Sequence, residues 1–203
     1  MGSTTGTTEQ SFRFQDVKLF PYANGKINLV KFLEATSDLI RLVEHLGKVF
    51  APVKYDMEGN IEKIRKFYKY DESSCLLELM NDEYSKGEKN AIEGILWLNR
   101  ALLFFELVFQ EIDLNLKKDD SYICMKKIFT LAYEGSVKKY HGWITQQLFT
   151  IICKMSPTLP QIIKSLEMES DLETFKSTLA SFNTTLHSFC TKVLNFVLFK
   201  NIK

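Results

Sequence analysis

The sequence predicts an all-α fold. Only 9 Gly and 4 Pro punctuate 203 residues, so long stretches run without a breaker. Within those stretches the apolar residues recur at three- and four-residue spacing, the period of a helix with one buried face. No segment alternates apolar and polar residues in the manner of a half-buried strand. The length suits one domain with a substantial core. Residues 1–11 carry no apolar pattern and read as a flexible tail, leaving 12–203 as a single domain.

The helices follow in order. Asn28 to Leu46 carries Leu29, Phe32, Leu33, Leu39, Ile40, Leu42, Val43 and Leu46 close to helical period, and Gly47 stops it. FAPVKYD turns the chain through Pro52, so a second helix is expected from Asp56 to Tyr68. SSCLLELMNDEYS gives a short third helix. Asn90 to Ile112 is apolar over most of its circumference and is therefore expected at the centre of the fold. LNLKKDD reads as a loop, and Ser121 to Lys154 as one long helical stretch that passes through Gly142. Pro157 and Pro160 bound a connection, and Leu159 to Leu166 and Leu172 to Phe199 complete the set.

Composition excludes several functions. Lys and Arg number 26 against 25 Asp and Glu, a formal charge of +1, whereas a nucleic-acid binder needs a strong positive field. The N-terminus has neither an apolar core nor an Arg-rich amphipathic pattern, so no targeting segment is read there and a cytoplasmic location is expected. The longest apolar runs, such as LLFF before Glu106, are too short to span a bilayer. Cys75, Cys124, Cys153 and Cys190 lie far apart without metal or redox spacing and read as reduced thiols, mostly in the core. The 3 His form no HExxH and pair with no Cys at zinc spacing. Neither a GxSxG elbow nor a Gly-rich phosphate loop is present. No catalytic residue, metal or cofactor is therefore assigned. Phe, by contrast, accounts for 16 residues, which suits either a bulky core or a core that lines a cavity for an apolar molecule.

Three polar clusters remain. On the second helix Asp56, Asn60 and Lys63 fall at i, i+4 and i+7 on one stripe, beside the apolar face of Met57, Ile61, Ile64 and Tyr68. They read either as an Asp N-cap with ordinary surface polars or as a platform of one acceptor, one amide and one cationic donor, suited to hydroxyls and amides. Trp97, with Arg100 and Phe104 on its side, reads as a core Trp or as a flat plate on which a sugar ring stacks. His141 follows Tyr133 and Val137 at helical spacing and precedes Phe149; it reads as a satisfied structural His or as a ligand-binding group. Asp56 and His141 could form an acid/base pair, but nothing in the sequence supplies a nucleophile.

Taken together, the segments VFAPVKYDMEGNIEKI (Val49 to Ile64), LWLNRALLF (Leu96 to Phe104) and AYEGSVKKYHGWITQQLF (Ala132 to Phe149) resemble the glycolipid transfer protein family, and INLVKFLEATSDL is similar to its first helix. The resemblance covers roughly residues 26–150. It implies a two-layer all-helical sandwich enclosing a single lipid pocket. It also implies that Asp56 and His141 clamp a ceramide amide, that Asn60 and Lys63 bond the first sugar, and that Trp97 stacks on that sugar. Phe50, Phe104 and Phe149 would line the hydrocarbon pocket, and Trp143 would touch the membrane. The implied function is ATP-independent transfer of a glycosphingolipid by a protein peripheral at membranes, with transient bilayer contact and no protein partner identified. A ceramide-1-phosphate carrier and a non-transferring sphingolipid sensor are the alternatives. Uncharged Asn60 and Trp97 stand where the phosphate-binding branch carries cations, which favours the sugar. Two departures stand out: Glu93, charged one turn before Trp97, and the C-terminal FVLFKNIK, to which no role carries over.

Overall fold

The computed structural model describes residues 13–21, 26–118 and 123–202. The tail expected at 1–11 lies outside them, as do Asp119 and Asp120 of the expected loop and Ser121, the expected start of the next helix. Eight α-helices are described: α1 (Leu29–His45), α2 (Ala51–Phe67), α3 (Leu76–Ser85), α4 (Asn90–Lys117), α5 (Met125–Gly135), α6 (Trp143–Lys154), α7 (Leu159–Ser165) and α8 (Leu172–Lys200). No strand occurs among the described residues; Asn28 and Cys75 form an isolated bridge. The helices form two layers around an apolar interior. As expected, α4 is central and packs against α2, α8, α5 and α3.

Three boundaries differ from the sequence expectation, each for a local reason. First, α2 begins at Ala51 rather than Asp56, because Pro52 sits in the first turn, where its missing N–H costs nothing. Asp56 is consequently inside the helix and is not an N-cap. Second, α4 runs on to Lys117 through the LNLK segment expected to be a loop. There the Asn115 side-chain amide donates to the Glu111 carbonyl at 2.6 Å, and Lys117 pairs with Asp113 at 2.6 Å, one turn back. Third, the stretch ending at Lys154 is two helices. The chain leaves α5 after Gly135, makes a 3-10 turn at Lys138–Tyr140, and places His141 in extended backbone before α6. The Gln146 amide donates to the carbonyls of Lys138 at 3.2 Å and His141 at 2.8 Å, which satisfies groups the interrupted helix leaves open.

Phenylalanine fills the interior. Phe32 and Phe189 stack at 4.7 Å between α1 and α8, and Phe104 and Phe129 stack at 6.0 Å between α4 and α5. Cys75, Cys153 and Cys190 are buried free thiols, and Cys124 is partly exposed. Two carboxylates are buried with partners. Glu106 on α4 meets His187 on α8 at 2.7 Å. Glu83 on α3 accepts from the Tyr68 hydroxyl at 2.8 Å and from the backbone N–H groups of Ala91 and Ile92 at 2.8 and 3.0 Å. Glu83 thus caps the N-terminus of α4, whose own cap residue Lys89 makes no side-chain bond, and ties it to the end of α2.

The α2–α4 contact is close at Gly94. A Cβ there would lie 3.0 Å from the Asn60 carbonyl oxygen on α2. At Gly142, by contrast, a Cβ would meet nothing within 4 Å. Gly142 is the N-cap residue of α6, in extended backbone. Replacing Gly94 by Val should cost about 1–3 kcal/mol in urea unfolding, because the added atoms push on backbone rather than on a movable side chain. Gly59→Ala, whose Cβ meets open space, should instead gain roughly 0.5–1 kcal/mol from helix propensity. A Gly94→Val protein as stable as the parent would show that α2 and α4 part without cost.

Candidate functional site

The close α2–α4 crossing decides which polar groups meet. The two helices run antiparallel, since Asn60 lies against Gly94 while Lys63 reaches back to Glu93. Trp97, one turn after Glu93, is thereby carried toward Asp56, one turn before Asn60. The extended segment after the 3-10 turn brings in His141 from the other side. Asp56, Trp97 and His141 line one cleft of about 190 Å3, together with Ala101, Phe104, Val137 and residues of α6 that include Phe149. None of the residues lining this cleft is Lys or Arg.

The electrostatics of the cleft follow from its partial burial. Asp56 is open to solvent on one side, yet the surrounding protein strips enough water to raise its carboxyl pKa, an effect that nearby His141 opposes. Burial likewise lowers the pKa of His141 below the ordinary 6.5, and Asp56 opposes that shift. His141 is therefore neutral at physiological pH. Its Nδ1 lies 3.0 Å from the Tyr133 hydroxyl. Burial pushes the Tyr133 phenol up to about 12, so it keeps its proton. With the phenol as donor and Nδ1 as acceptor, the imidazole proton sits on Nε2. Tyr133 is in turn stacked on Phe149 at 3.9 Å with the rings 7° apart, which fixes both.

The remaining expected residues sit around this centre. Asn60 donates from its side-chain amide to the Asp56 carbonyl at 2.8 Å and lies 3.4 Å from the Asp56 carboxylate, one turn along α2. Lys63 is a further turn away and is engaged with Glu93 at 2.8 Å, a pairing that lowers the Glu93 pKa. The face of the Trp97 indole lies nearly parallel to the His141 ring at 6.0 Å, and the Arg100 guanidinium sits 4.6 Å from it and 3.7 Å from the Tyr140 ring. Phe104 and Phe149 line the cleft and meet edge to face at 5.3 Å. Phe50 is fully buried against Phe129 at 5.1 Å and lines neither this cleft nor the interior cavity. Trp143, the first residue of α6, is 73% exposed.

Behind the cleft lies a second cavity of about 30 Å3, wholly apolar, lined by residues such as Leu42, Phe105, Val108, Phe129, Ile162 and Phe175. The stacked pair Phe104 and Phe129 separates the two, Phe104 on the cleft side and Phe129 on the interior side. Among the described residues no group of His, Cys, Asp or Glu could hold a metal ion. Tyr133 and Gln146 support His141 without a signal in the sequence, because both depend on the break after α5. Glu93 stands out in the sequence only as an odd charge; its partner Lys63 is 30 residues away in the chain.

Comparison with known proteins identifies the family and the fold. The profile of the Glycolipid transfer protein (GLTP) family matches residues 27–168. The chain is 32% identical over 152 residues to the glycolipid transfer protein of Danio rerio, covering 71% of this chain and 73% of that one. It is 34% identical over 147 residues to the glycolipid transfer protein of Aureobasidium melanogenum, covering 71% and 69%. Among solved structures, the fungal glycolipid transfer protein HET-C2 superposes with a TM-score of 0.76 at 27% identity, over 92% of this chain and 93% of that one. The mouse ceramide-1-phosphate transfer protein shares the fold, with a TM-score of 0.80 at 17% identity over 94% and 98%. With the family profile spanning most of the chain and relatives above 30% identity, this protein belongs to the glycolipid transfer protein family.

Proposed function

We infer that this chain is a lipid transfer protein that takes up a glycosphingolipid and moves it between membranes without ATP. The observation that carries the choice of cargo is the lining of the cleft: a carboxylate, a neutral imidazole and an indole, with no Lys or Arg. A phosphate leaving water needs paired cations. A neutral sugar on a ceramide needs hydroxyl and amide partners and a flat apolar face, which this lining offers. The one cation of the expected headgroup set, Lys63, has its charge matched by Glu93.

The residues divide the work by chemistry. Asp56 accepts from the ceramide amide N–H, and His141 donates from Nε2 to the amide carbonyl without changing protonation state. Asn60 and Lys63 offer donors to the first sugar, and Trp97 stacks on it. Phe104 and Phe149 start the path for the hydrocarbon chains, and Phe50 backs that path through Phe129. Each buried methylene is worth ~0.8 kcal/mol, so exposing a chain of about sixteen carbons to water costs on the order of 12 kcal/mol. An apolar interior offsets most of that cost and replaces the bilayer as solvent, so transfer runs down a concentration gradient. The interior cavity is small as it stands, so chain entry has to part Phe104 from Phe129.

No helix among the described residues is long and apolar enough to cross a membrane. Contact with the bilayer is assigned to α6. Trp143 and Ile144 are 73% and 77% exposed, and Leu148, Ile151 and Met155 continue the same outward stripe. The headgroup cleft opens beside this stripe, which puts its mouth at the membrane surface during exchange.

Vesicle-to-vesicle transfer of a fluorescent glycosphingolipid tests the reading. Trp97→Ala should lower the transfer rate at least tenfold with helicity intact; unchanged transfer would remove the stacking role. Asp56→Val should abolish capture of both glycosphingolipid and ceramide-1-phosphate, because it loses the shared amide; loss of only the glycosphingolipid would reassign Asp56 to the sugar. Transfer should also be flat through neutral and mildly alkaline pH and fall on acidification. The His141 pKa is lowered in the fold, so the neutral imidazole persists through the ordinary His range and is lost only as pH falls through the lowered folded value. A second proton on His141 removes the acceptor that Tyr133 needs. Asp56, with a raised pKa, loses its acceptor role before ordinary carboxylates do. A rate that rises on acidification would contradict the neutral-imidazole assignment.

A further inference from the structure

A second groove lies between α5 and α6, on the side of α6 away from the headgroup cleft. It encloses about 370 Å3 and is lined by Lys126, Lys138 and Lys154, the hydroxyls of Thr130 and Thr150, and the amides of Gln146 and Gln147. Its single carboxylate is Glu134, which pairs with Lys138 at 2.8 Å. Lys126 and Lys154 are exposed and flank the groove with no carboxylate of the lining left to match them. The floor includes the ring of Tyr133, whose hydroxyl reaches His141 in the cleft. None of the groups assigned to glycosphingolipid binding lines this groove.

The position of the groove matters as much as its charge. Helical periodicity divides α6 into three faces. Thr145, Leu148, Phe149 and Ile152 face the cleft. Ile144, Leu148, Ile151 and Met155 form the exposed apolar stripe. Gln146, Thr150, Cys153 and Lys154 face the groove. When the stripe sinks into a bilayer, the groove is held on its other flank, at the level of the phospholipid phosphates. Lysines near an anionic membrane surface each strengthen binding several-fold, and the Gln147 amide beside them can donate to a headgroup oxygen, whereas the Thr130 and Thr150 hydroxyls and the Gln146 amide already donate to backbone carbonyls.

We propose that the α5–α6 groove binds the phosphate of an anionic phospholipid in the membrane that the protein visits, a second lipid site distinct from the cargo cleft. This rests on the assignment of α6 as the docking face. The site orients the docked protein with its cleft mouth toward the bilayer, and it engages a lipid that is not transferred.

The test is vesicle co-sedimentation with phosphatidylcholine alone and with phosphatidylcholine containing phosphatidic acid. The parent should bind the mixed vesicles more tightly. Lys126→Gln/Lys154→Gln should lose on the order of tenfold in affinity for the mixed vesicles while binding pure phosphatidylcholine as before. Lys31→Gln/Lys164→Gln, which removes two exposed lysines outside the groove, should change neither. Equal losses from the two double variants would overturn the groove in favour of diffuse charge, and so would no loss from Lys126→Gln/Lys154→Gln. Trp143→Ala/Ile144→Ala tests the docking face separately: unchanged binding to phosphatidylcholine would sink that assignment, whatever the lysine variants do. Titration with sn-glycerol 3-phosphate, followed at the Gln146 and Thr150 amides by NMR, distinguishes the source. Binding in solution as tight as to vesicles would assign the groove to a soluble phosphate and overturn the lipid reading.

Discussion

The close crossing of α2 and α4 is the constraint on which the rest of the structure depends. The missing side chain at Gly94 lets the α4 backbone come against the Asn60 carbonyl. Glu83 fixes the far end of the same crossing by holding Tyr68 of α2 and the first N–H groups of α4 on one buried carboxylate. Two points of attachment on two rigid helices set their relative position and register. Asp56 and Trp97 belong to these helices, so their meeting in one cleft follows from the crossing. Asn60 and Lys63 then follow by helical period alone. These side chains are thus carried on rigid elements, where their geometry is held by packing.

His141 is placed by a different device. It lies in a short non-helical connection, and such backbone needs external partners for its polar groups. Gln146 supplies them for two carbonyls, and Tyr133 supplies one for the ring. Tyr133 is itself locked by its stack on Phe149. The His is therefore as well positioned as a helical residue, and burial keeps it neutral. A neutral donor facing a partly desolvated carboxylate suits an amide, which offers one N–H and one carbonyl.

Helix α6 works on three sides. One wall closes the cleft of Asp56, Trp97 and His141, the outward stripe is apolar, and the third side builds the basic groove with α5. Tyr133 connects the first and third of these, since its ring forms part of the groove floor while its hydroxyl holds His141. The central wall of Phe104 and Phe129 separates polar recognition from the apolar interior. A partly polar cleft and an apolar cavity are in this way neighbouring but distinct surfaces.

Fold class, the central place of α4 and the apolar face of α2 were legible in the sequence because each is a matter of local period. Met57, Ile61 and Ile64 are buried as their spacing requires. The three motif segments also contain Asp56, Trp97 and His141, which line one cleft. Boundaries were less legible. Pro52 looks like a turn until its place in a first helical turn is known, and the break after Gly135 is hidden because Tyr133, Val137 and His141 keep helical spacing across a chain that is not helical there. Contacts between distant segments were not legible at all. Nothing local tells Lys63 that Glu93 will neutralise it, or Glu83 that it will cap another helix, or Gly94 that a backbone will approach. The sequence determined by itself which faces are apolar and which side chains carry chemistry, since those are properties of residue type and period. The tertiary structure decided which of those side chains meet, because that depends on the angle and separation at which rigid helices cross.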